Sequence, residues 1–139
     1  MYRLTAALLL VAATSVAASA QMPIPSYWEN DRGSVINIYT NISIALRCSG
    51  CFAGYFWNRD AGFKCQTSPT NPKPYDVTGR SGGGPVTFKV VWNNGIEDCH
   101  STTVWKGYVD FDNIMTTRWV LTGPGIKPIT GTDVFYPRQ

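Results

Sequence analysis

Two hydroxyls and an indole occur at intervals of two residues, at Ser101, Thr103 and Trp105. In an extended strand these side chains share one face, because strand side chains alternate with a period of two. Trp92 precedes them across a turn predicted at Asn93–Gly95, "NNG". Hydroxyls donate and accept hydrogen bonds, and indoles provide flat apolar walls. The pattern therefore favours recognition of a small molecule that is polar at its ends and apolar along its sides.

Catalysis has little support in the sequence. The single histidine, His100, lies beside Cys99, and no pair of carboxylates has catalytic spacing. A Cys–His dyad would need a free thiolate, which a disulfide at Cys99 removes. We therefore expect a binding protein rather than an enzyme, and a titratable thiol at Cys99 would revive the enzyme hypothesis.

The inward-facing side chains must be positioned by strands, because almost no segment carries a helical stripe of apolar residues. Short runs of aromatic and β-branched residues alternate with Gly, Pro, Asn and Asp, which is typical of an all-β sandwich or barrel. The loop "SPTNPKP" (Ser68–Pro74) cannot enter a central strand. The eight predicted strands are Tyr27–Asn30, Ser34–Tyr39, Cys51–Asn58, Tyr75–Ser81, Val86–Trp92, Ser101–Phe111, Met115–Thr122 and Thr132–Tyr136.

The N-terminus has the pattern of a removable export signal. Arg3 precedes the apolar run Ala6–Ala13, and Ala18-Ser19-Ala20 fits the small-x-small cleavage rule. We predict a signal peptide at 1–20, one domain at 21–139, and a secreted or periplasmic location. The four cysteines, an even number in an exported chain, predict two disulfides.

The charge pattern gives little support to nucleic-acid or membrane partners. The formal net charge is +3, and the basic residues are scattered without a run. No apolar segment after the export signal is long enough for a membrane helix. Cys48 and Cys51 ("CSGC") lack two further ligands at zinc spacing and a helix for redox chemistry, so we predict a local disulfide and no metal.

Six motifs along the chain resemble the avidin and streptavidin family in order and spacing. They are "WENDRGS" (Trp28–Ser34), "TGR" (Thr78–Arg80), "VVWNN" (Val90–Asn94), "HSTTVWKG" (His100–Gly107), "TTRWVLT" (Thr116–Thr122) and "DVF" (Asp133–Phe135). Two further segments are similar to the dimeric, rhizavidin-type bacterial members: "NRDAGFKCQTSP" (Asn58–Pro69) and "WNNGIEDCHS" (Trp92–Ser101). The resemblance implies an eight-stranded antiparallel up-and-down β-barrel, biotin as the ligand without a cofactor, a Cys65–Cys99 disulfide and a homodimer, with a tetramer possible.

Carried over residue by residue, the resemblance also implies a biotin site. Asn30 and Ser34 match the donors to the ureido oxygen, and Asp133 matches the carboxylate that accepts a ureido N–H. Thr103 matches the hydroxyl near the thioether sulfur, and Ser101 the one near the valerate carboxylate. The whole implied set is Asn30, Ser34, Phe56, Asn58, Trp92, Ser101, Thr103, Trp105, Trp119, Leu121 and Asp133. Asn58 faces the second ureido N–H in this reading, and the three tryptophans and Leu121 form the walls.

Three positions depart from the family pattern. Phe56 stands where a tyrosine normally adds a third donor to the ureido oxygen, and Arg32 stands where relatives have an apolar or small residue. Gly125 lies near the place where tetrameric members lend a tryptophan to a neighbour. Phe56 and Arg32 motivate the alternative of an avidin-fold or lipocalin-like barrel that binds a different small molecule. A secreted interaction module with a vestigial pocket is a third hypothesis.

Overall fold

The computed structural model describes residues 26–40 and 48–138. The predicted export signal at 1–20, with its cleavage position after Ala20, lies outside these residues and stays a prediction. Among the described residues, no helix is long and apolar enough to span a bilayer.

Eight antiparallel strands form one closed barrel in which each strand pairs with the next in sequence and the last pairs with the first. This topology confirms the predicted eight-stranded up-and-down barrel. The strands are β1 (Ser26–Asn30), β2 (Val35–Thr40), β3 (Cys51–Trp57), β4 (Tyr75–Ser81), β5 (Pro85–Asn93), β6 (Asp98–Val109), β7 (Met115–Thr122) and β8 (Ile129–Arg138).

Two strands begin three residues earlier than the sequence pattern predicts. β6 begins at Asp98 because that residue pairs with Asn93 across the turn, and β8 begins at Ile129 because it pairs with Leu121. Pairing with a neighbouring strand therefore extends these strands beyond their own alternating runs, as expected when tertiary context overrides local propensity.

Side chains point alternately into and out of the barrel along each strand, and the inward ones fill one half of its interior. In β5 the inward residues Val86, Phe88, Val90 and Trp92 are buried, and the residues between them are exposed. Trp28 in β1 is fully buried, and its Nε1 donates a 2.7 Å hydrogen bond to Ser26 Oγ. An interior of this diameter is just wide enough to be filled by side chains. The remaining core members are Ile36, Ile38, Phe52, Phe56, Cys65, Tyr75, Val77, Trp105, Val109, Met115 and Phe135.

Four loops gather at one end of the barrel, which we call the open end. They are 31–34, 58–74, 94–97 and 123–128, each between an odd-numbered strand and the next. The Cys65–Cys99 disulfide joins loop 58–74 to the start of β6, and Cys48–Cys51 forms a second, local disulfide. Both predicted pairings are confirmed.

Candidate ligand-binding site

A cavity opens between these loops, and the empty space there is about 390 Å³ when open solvent at its mouth is included. Side chains from six strands or their adjoining loops surround it, so distant parts of the sequence converge on one space. The lining residues are Asn30, Arg32, Ser34, Phe56, Asn58, Asp60, Phe63, Trp92, Thr103, Trp105, Trp119, Leu121 and Asp133.

Asn30 is oriented by the turn that follows β1. Its Oδ1 accepts hydrogen bonds from the backbone N–H groups of Ser34 (2.8 Å) and Arg32 (3.1 Å). The turn depends on Gly33, whose φ of 83° is a conformation that glycine adopts readily. Because the side-chain oxygen is committed to the backbone, the amide NH₂ of Asn30 is the group left to donate into the cavity.

Ser34 and Asn58 hold loop 58–74 against this turn. Ser34 Oγ accepts the backbone N–H of Arg59 at 2.9 Å and donates to Asn58 Oδ1 at 3.4 Å. Asn58 Nδ2 donates to the carbonyl of Cys65 at 2.8 Å, and its Oδ1 also accepts the backbone N–H of Asp60. Asn58 therefore organises the loop, and the long bond from Ser34 is the contact that a ligand oxygen could most readily replace.

Asp133 is a buried carboxylate whose two oxygens differ. Oδ2 accepts a 2.8 Å hydrogen bond from Trp105 Nε1. Oδ1 lies 2.9 Å from Arg32 Nη2, yet it accepts no aligned hydrogen bond in the described structure. Burial raises the pKa of Asp133, while the bond from Trp105 and the charge of Arg32 oppose that rise. Oδ1 thus has an ion-pair contact with Arg32 but lacks a regular hydrogen bond, which a ligand N–H group could supply.

Aromatic rings form the apolar walls. The Phe56 ring lies 5.3 Å from that of Trp105 and 5.7 Å from that of Trp92, edge-on in the second case. Trp92 Nε1 donates to Thr103 Oγ1 at 2.8 Å, so the hydroxyl proton of Thr103 is free to point elsewhere. Flat walls with a hydroxyl at their margin suit a compact ring system.

Trp119 occupies its place because the residue opposite it on β8 is a glycine. A Cβ at Gly131 would lie 2.3 Å from Trp119 Cζ2, so only glycine leaves room for the indole there. Trp119 Nε1 is buried without a hydrogen-bond partner. An unpaired buried donor or acceptor costs about 1–3 kcal/mol. Asp133, which lines the cavity beside Arg32, also has an oxygen without a regular hydrogen bond, and this oxygen points to a polar ligand.

The structure brings ten of the eleven predicted site residues to the cavity, while their contact with a ligand stays a prediction. Ser101 is the exception: it is buried, but it is not part of the lining, and its Cβ lies 3.3 Å from where a Cβ at Gly123 would be. Loop 123–128 thus covers Ser101.

Three lining residues lie outside the predicted set, namely Arg32 and the pair Asp60 and Phe63. That pair belongs to loop 58–74, and Phe63 reaches the site by packing 4.9 Å from the Trp92 ring. The nearby Cys65 is the sequence feature that could have located them, because its disulfide draws this loop towards β6.

Comparisons with known proteins agree in pointing to one family. The Avidin family profile matches residues 18–136. Hoefavidin of Hoeflea phototrophica (strain DSM 17068 / NCIMB 14078 / DFL-43) is 32% identical over 101 residues, covering 69% of this chain and 58% of hoefavidin. Afifavidin of Afifella pfennigii is 28% identical over 105 residues, covering 73% and 59%. The chain thus spans less than two thirds of the length of these relatives.

Solved structures match over more of their length. Apo shwanavidin has a TM-score of 0.72 at 30% identity, covering 86% of this chain and 100% of the shwanavidin chain. A rhizavidin–biotin complex has a TM-score of 0.68 at 35% identity, covering 83% of this chain and 92% of the rhizavidin chain.

Proposed function

Because the chain belongs to the avidin family, we propose that it is a secreted protein that binds biotin inside its barrel and catalyses no reaction. The observation that carries the proposal is that Asp133 and Asn30 line one aromatic-walled cavity, where Asp133 Oδ1 lacks a regular hydrogen bond and the Asn30 oxygen is bonded to the backbone, which leaves its amide to donate. Support also comes from the biotin complexes solved for rhizavidin and for a short form of afifavidin.

The cavity groups complement the ureido group of biotin. That group has one carbonyl oxygen, which accepts hydrogen bonds, and two N–H groups, which donate them. In our proposal Asn30 and Ser34 donate to the oxygen, and Asp133 Oδ1 accepts one N–H in a charge-assisted bond. The fused rings lie against Trp92, Trp105 and Trp119, with Thr103 beside the sulfur.

The absence of catalysis is supported by the state of the cysteines. His100 is next to Cys99, but the Cys99 sulfur is bonded to Cys65 and cannot act as a nucleophile. None of the described cysteines is free. Two disulfides in a small domain are also typical of an exported protein, which supports the proposed secretion.

A homodimer is part of the proposal. Val91 and Val120 face outward on β5 and β7 and are 51% and 41% exposed. Val104 lies on β6 between these strands and pairs in register with Val120. Exposed apolar side chains grouped on the outside of a barrel suit a protein interface.

Calorimetric titration of the oxidised protein with biotin tests the proposal. We expect one biotin per chain and a rise in the melting temperature with ligand, because a ligand that binds only the folded state stabilises it. Asp133→Asn should weaken binding about ten- to a hundredfold, since a hydrogen bond to a charged group contributes roughly 1.5–3 kcal/mol.

The matched control is Asp76→Asn, which removes an exposed carboxylate on β4. It should bind biotin as the wild type does. Neither heat nor thermal stabilisation at saturating biotin would contradict the proposal and favour an avidin-fold barrel for another small molecule.

A further inference from the structure

Arg32 spans the open end of the barrel. Its Nη1 lies 3.1 Å from Asp60 Oδ2 in loop 58–74, and its Nη2 lies 2.9 Å from Asp133 Oδ1 in β8. Nη2 also donates a 2.8 Å hydrogen bond to the carbonyl of Thr132. The guanidinium carbon lies 5.9 Å from the centre of the Trp119 ring. One side chain thus connects three separate parts of the rim across the cavity.

The two ion pairs of Arg32 differ in their contact with water. The Asp60 side chain is 37% exposed and that of Asp133 only 4%, with Arg32 itself at 36%. An exposed pair contributes little stability, whereas a charge on a buried oxygen is strongly felt because water does not screen it. The contact with Asp133 is therefore the one that matters for the cavity.

That inner contact is close but poorly aligned. The second Nη2 interaction, with Thr132, is a regular hydrogen bond, whereas Asp133 Oδ1 accepts none. A ligand N–H pointing directly at Oδ1 would gain the charge-assisted hydrogen bond that Arg32 does not make. A ligand with an N–H donor can therefore displace the guanidinium from this oxygen with a net gain in hydrogen bonding. Asp60 and the carbonyl of Thr132 can still hold the arginine after it has moved.

We propose that Arg32 is the specificity-determining residue of this cavity: it occupies the ligand-facing oxygen of Asp133 and yields it only to a ligand that presents an N–H donor, such as a cyclic urea. The proposal rests on the proposed biotin function, because biotin is the probe that tests it. Biotin therefore binds more slowly than it would to a protein without Arg32, because the guanidinium must first move away from Asp133. A ligand with only acceptor groups at this end cannot replace it, because it would leave the carboxylate unpaired.

The test is the association rate constant of biotin, measured by stopped-flow tryptophan fluorescence at pH 7.5. Arg32→Leu should bind about three- to tenfold faster than wild type, because the competitor for Oδ1 is gone. Arg118→Leu is the matched control: it removes an exposed arginine from the outside of β7 with the same change of charge, and it should match wild type.

Asp60→Asn provides a second variant that keeps the arginine but removes its outer anchor. It should bind biotin about two- to threefold more slowly than wild type, because the displaced guanidinium loses the carboxylate that holds it, and it decides the question if Arg32→Leu does not fold. The selectivity is tested with N-methylated biotin, in which the ureido N–H groups are removed. It should bind wild type more weakly than it binds Arg32→Leu, because in wild type it must displace the cation without offering an N–H donor in its place.

The outcomes separate the inference from the function on which it rests. Biotin binding to wild type, with Arg32→Leu equal to or slower than Arg118→Leu, would overturn the role of Arg32 alone. Binding by Arg32→Leu in the absence of measurable binding by wild type would overturn the biotin function and the claim that Arg32 yields Oδ1 to a ureido N–H. Failure of both proteins to bind would overturn the biotin function and the inference together.

Discussion

Asp133 shows, at the scale of one residue, how a binding site differs from a core. A buried carboxylate is costly, and only one of its oxygens has a regular hydrogen bond. Burial raises the pKa of Asp133. The hydrogen bond from Trp105 and the charge of Arg32 lower this pKa, whereas the neighbouring carboxylates of Asp31 and Asp60 raise it further. This residue is better suited to holding a ligand than to stabilising the fold.

The pH dependence of unfolding tests that interpretation. Because the pKa of Asp133 is raised on folding, the folded state holds the proton more tightly than the unfolded chain. Its contribution to stability is present below the unfolded pKa and is lost as pH rises through the folded pKa. The free energy of unfolding of wild type minus that of Asp133→Asn should therefore decrease between pH 4 and pH 7 in urea titrations.

Biotin affinity should instead increase between pH 4 and pH 7, because the ionised carboxylate is the stronger hydrogen-bond acceptor. An unfolding difference that is constant or grows with pH would show that burial does not dominate the behaviour of Asp133.

At the scale of elements, loop 58–74 is held in place by polar groups and by a disulfide. Asn71 Nδ2 donates to the carbonyl of Gln66 and to Tyr75 Oη, and Asn94 Nδ2 donates to Asn71 Oδ1 at 2.7 Å. Asn71 and Asn94 are both buried. These bonds and Cys65–Cys99 tie the loop to the β5–β6 turn, so the residues that line the cavity are ordered before a ligand arrives.

Removing the disulfide should therefore weaken both the fold and the site. In the chain-entropy account, Cys65→Ser with Cys99→Ser lowers the free energy of unfolding by about 4 kcal/mol, because the bridge closes a long loop of 34 residues. Biotin affinity should also fall, since ordering the loop becomes part of the cost of binding. Guanidinium titration and calorimetry measure the two effects.

The matched control is the pair Cys48→Ser with Cys51→Ser. That bridge spans three residues, so its loss should cost under about 2 kcal/mol and leave biotin affinity unchanged. Equal losses of affinity in both double variants would contradict a specific role for Cys65–Cys99 at the site.

At the scale of the whole molecule, closure of the sheet separates two environments. Large apolar side chains such as Trp28, Phe52 and Phe135 fill one half completely, and loops at the open end leave a cavity in the other. Closure also leaves no free strand edge, so further association must use the outer face of the sheet. We expect Val91 on β5 and Val120 on β7, which are exposed on this outer face, to be buried in the dimer interface.

A charge on that face should prevent dimerisation. Val120→Asp should elute as a monomer in sizing chromatography where wild type elutes as a dimer, because an unpaired carboxylate is costly to bury in an interface. Thr78→Asp, on the outside of β4, introduces the same charge away from the valines and should remain dimeric. A monomeric wild type, or a dimeric Val120→Asp, would contradict this interface.

The sequence by itself determined the strands and most of the inward-facing side chains. Period-two alternation and turn residues act locally, so the eight strands and the surface loop at Ser68–Pro74 could both be predicted. The two disulfides followed from cysteine number, the lack of further zinc ligands and the resemblance to one family.

Only the tertiary structure decided how the rim of the cavity is built. Asp60 and Phe63 reach the cavity from the middle of a long loop, and Ser101 is covered by loop 123–128 although its strand phase points inward. Arg32 meets Asp60 and Asp133 only because the open ends of distant strands converge. Alternation fixes the face on which a side chain lies, but contacts between loops depend on closure of the whole barrel, which no local pattern encodes.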